Sequence, residues 1–273
     1  MTLFIGKTAY VCGEKIIGER KDNECNAIVD TTIANGFTSS SGINRIIKKI
    51  NADLVVSSTT AAYMFYGCES LEEIPLLYMN KVTNASYMFQ NCKKIKTVSL
   101  LDTSNVTTAV YMFCSCTSLE EIPLLNTSKV TSMMYMFQDC EKLKAIPLLD
   151  TSNVLDTRYM FEKCYALTAI PAFDTSKVTN AGNMFQYCSN LVEVPFMNFS
   201  SLTSTNHNSM FKSCNKLSDE SLNNVLAMCI TMKNLTSTAK TLKYMGLSSS
   251  QATKCTTLSN YQSFLDSGWK TGY

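Results

Sequence analysis

The 273-residue chain has little charge and almost no imbalance in it. Asp, Glu, Lys and Arg make up 17%, and 24 basic against 22 acidic residues leave a net charge of +2. A surface that tracks phosphates needs a clear basic excess, so nucleic acid is excluded as a partner. No run approaches the ~20 unbroken apolar residues of a membrane span, so membrane insertion is not expected. The N-terminus reaches Gly6 and Lys7 before a long apolar run has formed. It lacks the basic head, apolar centre and small-residue exit of a secretory signal, so export by that route is not expected. There is one histidine, one tryptophan, and no glycine-rich phosphate loop. What the chain does have is a 45% hydrophobic share, enough at this length for a continuous core.

That share is distributed with a period. Met-Phe pairs begin at Met64, Met88, Met112, Met136, Met160, Met184 and Met210, in five steps of 24 residues and one of 26. Four residues after each Met stands a cysteine: Cys68, Cys92, Cys116, Cys140, Cys164, Cys188 and Cys214. Three further on come Leu71, Ile95, Leu119, Leu143, Leu167, Leu191 and Leu217, then Ile74, Val98, Ile122, Ile146, Ile170 and Val194. All five prolines (Pro75, Pro123, Pro147, Pro171, Pro195) share one column, where Ser99 is the substitute. Such periodicity predicts a solenoid, in which one unit cannot bury its apolar side alone and stacked neighbours can.

The segment Leu71 to Leu76 fits the Leu-x-x-Leu-x-Leu core of a leucine-rich repeat. The expected fold is therefore an α/β repeat: a leucine-rich-repeat solenoid with 24-residue repeats, short parallel strands at Leu-x-x-Ile, and short helical turns carrying Met88, Phe89 and Cys92 inward. Proline cannot donate to a ladder, so the strands end near Pro75 and its equivalents. Asp-Thr-Ser or Asn-Thr-Ser follows at Asp102, Asn126, Asp150 and Asp174, residues that bond their own backbone in turns. Residues 1–40 do not fit the period and are expected to form an N-terminal segment or cap. The solenoid occupies 41–217, opening with a degenerate repeat at Ile43, Ile46, Ile47 and Ile50. Residues 218–273 are expected to form a helical C-terminal cap, with Leu222, Val225, Leu226 and Cys229 at helical spacing after Ser218-Asp219-Glu220.

The columns point to no catalytic, cofactor or metal chemistry. Seven cysteines at a spacing of 24 match no zinc pattern, and their parallel side chains do not face one another for disulfides. They read as small buried hydrophobes. Cys12, Cys25, Cys114, Cys229 and Cys255 lie outside the column. Asp-Thr-Ser resembles the aspartic-protease element, but it recurs rung after rung and so marks a turn. His207 has no partner set in the sequence and is expected in a surface loop. A hydrolase housed in residues 1–40 or in the cap has no supporting constellation.

Between the Leu and Ile columns stand Glu72-Glu73, Lys96-Thr97, Glu120-Glu121, Lys144-Ala145, Thr168-Ala169 and Val192-Glu193, with signs alternating over the first four rungs. Opposite charges on adjacent strands attract by ~0.2–1 kcal/mol, so the alternation can serve stacking alone or present a mixed-charge strip to a partner. Beside it run Leu77, Leu101, Leu125, Leu149, Phe173 and Met197. With Ile74 in, Pro75 out and Leu76 in, continued alternation turns this column outward as a binding or self-association strip. If the chain turns after Pro75, it is core. The candidate binding face is thus Glu73, Lys96, Thr97, Glu121, Lys144 and Glu193 together with that apolar column.

The repeated Met-Phe-x-x-Cys-x-x-Leu-x-x-Ile-Pro-Leu-Leu-Asp-Thr-Ser-x-Val, unbroken from Met136 to Val154, resembles the BspA-like leucine-rich repeats of bacterial surface proteins. The resemblance covers roughly residues 60 to 217. It implies a surface-exposed, non-enzymatic recognition or adhesion solenoid with no catalytic residues to transfer. The C-terminal stretch from Leu258 through Gly268-Trp269 to Tyr273 looks like the ends of repeat proteins encoded in phages and prophages of gut bacteria. That likeness implies a virion-surface protein made in the host cytoplasm, binding a bacterial surface protein or glycan, other virion proteins or itself. A bacterial cell-surface adhesin is the alternative.

Overall fold

In a computed structural model of the chain, residues 54–273 are described apart from 57, 75, 100, 204–206 and 238, with side chains from Val56 onward. Upstream, the backbone of six short strands is described. β1 (Thr2–Ile5) and β2 (Thr8–Val11) pair antiparallel, as do β3 (Arg20–Lys21) and β4 (Glu24–Cys25). β5 covers Val29–Thr31. β6 (Lys49–Ile50) pairs parallel with β4. β7 (Leu54–Val56) lies between β5 and β8 (Leu77–Tyr78), all parallel. The degenerate repeat at Ile43, Ile46 and Ile47, together with Cys12, lies outside the described residues.

From Thr60 the chain winds in rungs, numbered 1 to 7 by their Met-Phe pairs. Isolated parallel bridges join Thr60, Asn84, Thr108, Ser132, Asp156 and Asn180 in sequence. The main hydrogen-bond ladder lies in the Met-Phe segment. Ala61, Tyr63, Phe65 and Gly67 donate their N–H groups to Asn84, Ser86, Met88 and Gln90 of rung 2, at 2.8–3.1 Å. Ala85, Tyr87, Phe89 and Asn91 do the same to rung 3. The residues between them turn back within the rung, as Met64 donates to Ala61, Tyr66 to Tyr63 and Cys68 to Phe65.

This corrects two expectations. Leu-x-x-Ile makes few rung-to-rung bonds, such as Glu120 to Lys96 and Lys144 to Glu120. The Met-Phe segment is no helical turn, because alternate N–H groups point along the solenoid axis. Directing them so needs left-handed residues at two positions per rung: Tyr63, Tyr87, Tyr111, Tyr135, Tyr159, Asn183 and Ser209 at the first, and Gly67, Asn91, Ser115, Asp139, Lys163, Tyr187 and Ser213 at the second. Each non-glycine there carries a strain of roughly 1–2 kcal/mol, offset by the axial bonds it aims.

The core is a set of ladders. Phe65, Phe89, Phe113, Phe137, Phe161, Phe185 and Phe211 are fully buried, and consecutive rings stack with centroids 5.3–5.7 Å apart. The cysteine column is buried and unpaired. Each thiol from Cys92 to Cys214 donates to the Phe carbonyl of the preceding rung, as Cys116 does to Phe89 and Cys140 to Phe113, at 3.0–3.2 Å. The thiol therefore fills space and also joins rungs.

Downstream of Cys116 the inward residues are Leu119, Ile122 and Leu125, one in every three. An extended chain compatible with proline presents three residues per turn, whereas a strand presents two. Hence Leu77, Leu101, Leu125, Leu149, Phe173 and Met197 are buried, at 1–4% exposure, and the outward reading of that column is corrected. Leu76, read as inward, is exposed instead. Where Ser99 stands in the proline column, its hydroxyl donates to the Ile74 carbonyl at 2.8 Å.

The far end of the ladder is closed by helices. Ser218 caps α1 (Asp219–Thr231) by accepting from the Ser221 N–H. The Ser221 hydroxyl accepts from Val194 N–H and donates to the Val192 carbonyl, so the first turn of α1 satisfies the open edge of rung 6. Carbonyls of Tyr244 and Met245, the last two residues of α2 (Leu242–Met245), receive the last axial bonds from Ser209 and Phe211. Gly246 follows at φ +91°, where a Cβ would lie 2.6 Å from the Lys212 nitrogen. α3 (Ser249–Cys255) opens on a capping box between Ser248 and Gln251, and α4 (Tyr261–Asp266) buries Phe264. His207 is fully buried here beside Tyr244 and Trp269, with Nε2 3.1 Å from the Ala239 carbonyl. The surface-loop expectation for His207 is thereby corrected: the 26-residue step carries it under the cap.

Two substitutions read this architecture in opposite directions. Phe137→Ala leaves a cavity between two rings and is expected to lower unfolding free energy by about 3–5 kcal/mol in denaturant titrations. Ser115→Gly relieves a left-handed residue and is expected to raise it by about 1 kcal/mol.

Candidate interaction surface

The outward side of the proline segment forms one continuous strip. Glu73, Lys96, Thr97, Glu121, Lys144 and Glu193 are all exposed on it. Beside them lie Leu76, Leu124, Leu148 and Phe196, with Leu124 at 65% and Leu148 at 62% exposure, and Ala172 in the same column. Half-buried Pro123, Pro147, Pro171 and Pro195 separate the two columns. The structure thus brings the charged candidates together and replaces their apolar companions by the column one residue earlier. A signal for this was present in the spacing of three from Cys116 to Leu125.

Charges on the strip alternate and pair along the axis. Lys144 Nζ lies 2.5 Å from Glu120 Oε2, and this contact holds the Glu120 carboxyl below its ordinary range. The next corner follows the same two-rung rhythm. Asn105 and Asn153 donate to the carbonyls of Asn80 and Ser128, while Lys129 and Lys177 donate to the Oδ1 of those same asparagines. The turn between strip and corner is built as the motif implies: Ser104, Ser128 and Ser152 donate both hydroxyl and amide to Asp102, Asn126 and Asp150. Those bonds, led by the hydroxyl's, hold Asp102 and Asp150 below the usual carboxylate range. Each Asp is thus a turn former, bonded within its own rung.

A second ordered surface was not anticipated. Tyr63, Tyr87, Tyr111, Tyr135 and Tyr159, each directly before the Met of its pair, stack at 4.3–4.8 Å with planes within 10°. Burial, above all, raises the phenols of Tyr87, Tyr111 and Tyr135. Because each ring face covers the next, the ladder shows ring edges outward and offers no flat platform for a sugar or base. Alongside it Gln90, Cys114, Gln138 and Glu162 form a hydrogen-bonded row across rungs. The tyrosine column was visible at 24-residue spacing; its stacking depends on the left-handed backbone that aims it.

At its C-terminal end the strip meets the cap in a shallow cavity lined by Ile170, Glu193, Val194, Pro195, Ser218, Glu220, Ser221 and Asn224. Among the described residues no group of three or more His, Cys, Asp or Glu side chains could hold a metal ion, and no helix is long and apolar enough to cross a membrane. Burial pushes the Cys68 and Cys214 thiols up to about 12 and Cys114 and Cys255 up to about 11. Burial thus disfavours the thiolate, the nucleophilic form, at these four.

Stacked rungs with a sealed core and an exposed mixed-charge strip define a repeat solenoid. The chain belongs to the family described as "Mycoplasma protein of unknown function, DUF285", whose model matches residues 26–121, 59–165 and 142–249. Among curated proteins, none matches the sequence. Similar solved structures include a leucine-rich repeat protein from Eubacterium ventriosum ATCC 27560, at 20% identity over 62% of this chain and 54% of that one, TM-score 0.41. The T. pallidum leucine-rich repeat protein aligns at 18% identity over 64% and 82%, TM-score 0.33. One from Bacteroides ovatus ATCC 8483 aligns at 17% over 76% and 81%, TM-score 0.25. This chain spans about half the length of the E. ventriosum protein.

The sealed core has a chemical readout. In the folded protein, iodoacetamide followed by peptide mapping is expected to leave Cys68, Cys92, Cys116, Cys140, Cys164, Cys188 and Cys214 unmodified, and to label all of them once the chain is denatured. Labelling of any of these under native conditions would show that the rungs open.

Proposed function

We propose that this protein is a non-enzymatic recognition solenoid that docks a bacterial surface protein or glycan along the strip from Glu73 to Phe196. The observation that carries the reading is the strip itself. A solenoid that buries its Met, Phe, Cys, Leu and Ile columns leaves Leu76, Leu124, Leu148 and Phe196 in water on the strip. Exposed apolar side chains in one column, rimmed by polar residues, are the signature of a contact surface. The resemblance of the repeat, as from Met136 to Val154, to BspA-like leucine-rich repeats supports the same class. The setting proposed is the surface of a phage particle, on the resemblance of Leu258–Tyr273 to the ends of phage-encoded repeat proteins. The BspA-like repeat favours a second setting, the bacterial cell surface itself. No cofactor is called for in either.

The test is binding of fluorescently labelled protein to whole bacterial cells before and after protease or periodate treatment. Saturable binding, abolished by one treatment and reduced at least tenfold in Phe196→Asp with unchanged thermal unfolding, is the expected result. Binding unaltered by Phe196→Asp and by Leu148→Asp would remove the strip from the contact. Detection in purified virions, against intact unlysed cells, separates the two settings.

A further inference from the structure

The strip has a property that recognition of an arbitrary partner does not require: it is complementary to itself. Over rungs 1 to 4 the residues between the Leu and Ile columns run Glu72-Glu73, Lys96-Thr97, Glu120-Glu121, Lys144-Ala145, which is acidic, basic, acidic, basic. Turn a second copy over about a two-fold axis that lies in the face, parallel to the rungs, between rungs 2 and 3. Rung 1 then opposes rung 4, and rung 2 opposes rung 3. Glu72 and Glu73 face the second copy's Lys144, Lys96 faces its Glu120 and Glu121, and each sign meets its opposite. The apolar column falls on itself, with Leu76 against Leu148. An axis parallel to the solenoid would bring like rungs together along its length, and an axis lying on a rung would oppose rungs of equal sign.

We propose that this face pairs two copies of the chain, antiparallel, through rungs 1 to 4. The inference rests on the strip being an interaction surface and names its partner over those rungs. Spacing supplies a second argument. Rungs repeat every ~4.8 Å, and a ligand that matches charges over four of them must share that repeat, which a second copy does by construction. Stacking alone does not demand the charges, since rung 5 carries Thr168-Ala169 in the same register and keeps its axial bonds to rung 6, from Val192 and Glu193 to the Thr168 carbonyl. The alternation stops where the paired region stops. The pair is reversible, so the whole strip meets the bacterial partner in the monomer, while in the pair only Glu193 and Phe196, beside the cavity with Ser218, Glu220 and Asn224, stay open to it. A four-rung face is smaller than the ~800 Å² per partner of a standard interface, so the pair forms reversibly as concentration rises.

Sedimentation velocity of the full chain from micromolar to near-millimolar concentration tests this. The wild type is expected to shift toward twice the chain mass, less so at high salt. An all-acidic strip (Lys96→Glu with Lys144→Glu) and an all-basic one (Glu72→Lys, Glu73→Lys, Glu120→Lys and Glu121→Lys) should each stay monomeric and recover the dimer when mixed. Leu124→Ser with Leu148→Ser should abolish association with its circular dichroism retained. A wild type that stays monomeric throughout, or a mixture that fails to recover the dimer while both variants remain folded, overturns the proposal. Cell binding measured on the same variants is a separate readout: the pairing can fail while receptor binding survives, and the reverse.

Discussion

Through the Met-Phe segment each of rungs 1 to 5 donates four backbone N–H groups to the next, and the rest of the molecule is arranged around keeping them aligned. To aim alternate amides along one axis the chain must adopt left-handed conformations twice per rung, at residues such as Tyr111 and Ser115. Isolated, such a segment would relax. Stacked, it is held by the neighbours it bonds and by the rings it superimposes, Phe113 inside and Tyr111 outside. Stability in such an array is a sum of neighbour interfaces, so no single rung is stable alone and the ends need closure.

That constraint explains the chemistry of the columns. Cysteine suits its position because its thiol reaches the Phe carbonyl of the previous rung while its small bulk fits among Phe, Met and Leu ladders. Burial raises its pKa and keeps it protonated, which is what a donor to a carbonyl requires. Proline suits a segment with few axial bonds because it has no N–H to leave unpaired. On the solvent side the same register stacks charges, and alternation of sign turns what would be repulsion into Lys144–Glu120 contacts. The result is a patterned surface whose spacing is set by the backbone.

Closure of the C-terminal end uses side chains where the ladder runs out of partners. Ser221 and Asn224 of α1 take the place of a further rung at Val192 and Val194, and backbone carbonyls at Tyr244 and Met245 take the last axial amides. Trp269, Phe264 and His207 fill the space beneath. The cap therefore seals the edge that would otherwise recruit another chain. It leaves the lateral faces of the solenoid, the strip among them, exposed.

The period, the inward Met, Phe, Cys, Leu and Ile columns, the Asx turns and the helical spacing after Ser218 were legible in the amino-acid order, because repetition writes each packing contact several times over. The burial of Leu77 and exposure of Leu76 were not, although the spacing of three from Cys116 to Leu125 held the clue; alternation by two is a property of strands, and this segment is not one. The tyrosine column was also written in the sequence, but whether its rings show faces or edges depends on backbone that only the stacked rungs enforce. His207 and the cap are decided by a single, unrepeated set of contacts, where sequence offers no column to compare. What the sequence determined by itself is the repeating unit. Tertiary structure decided which side of that unit meets water, because the direction of each side chain follows from left-handed turns and axial bonds that exist only between neighbours.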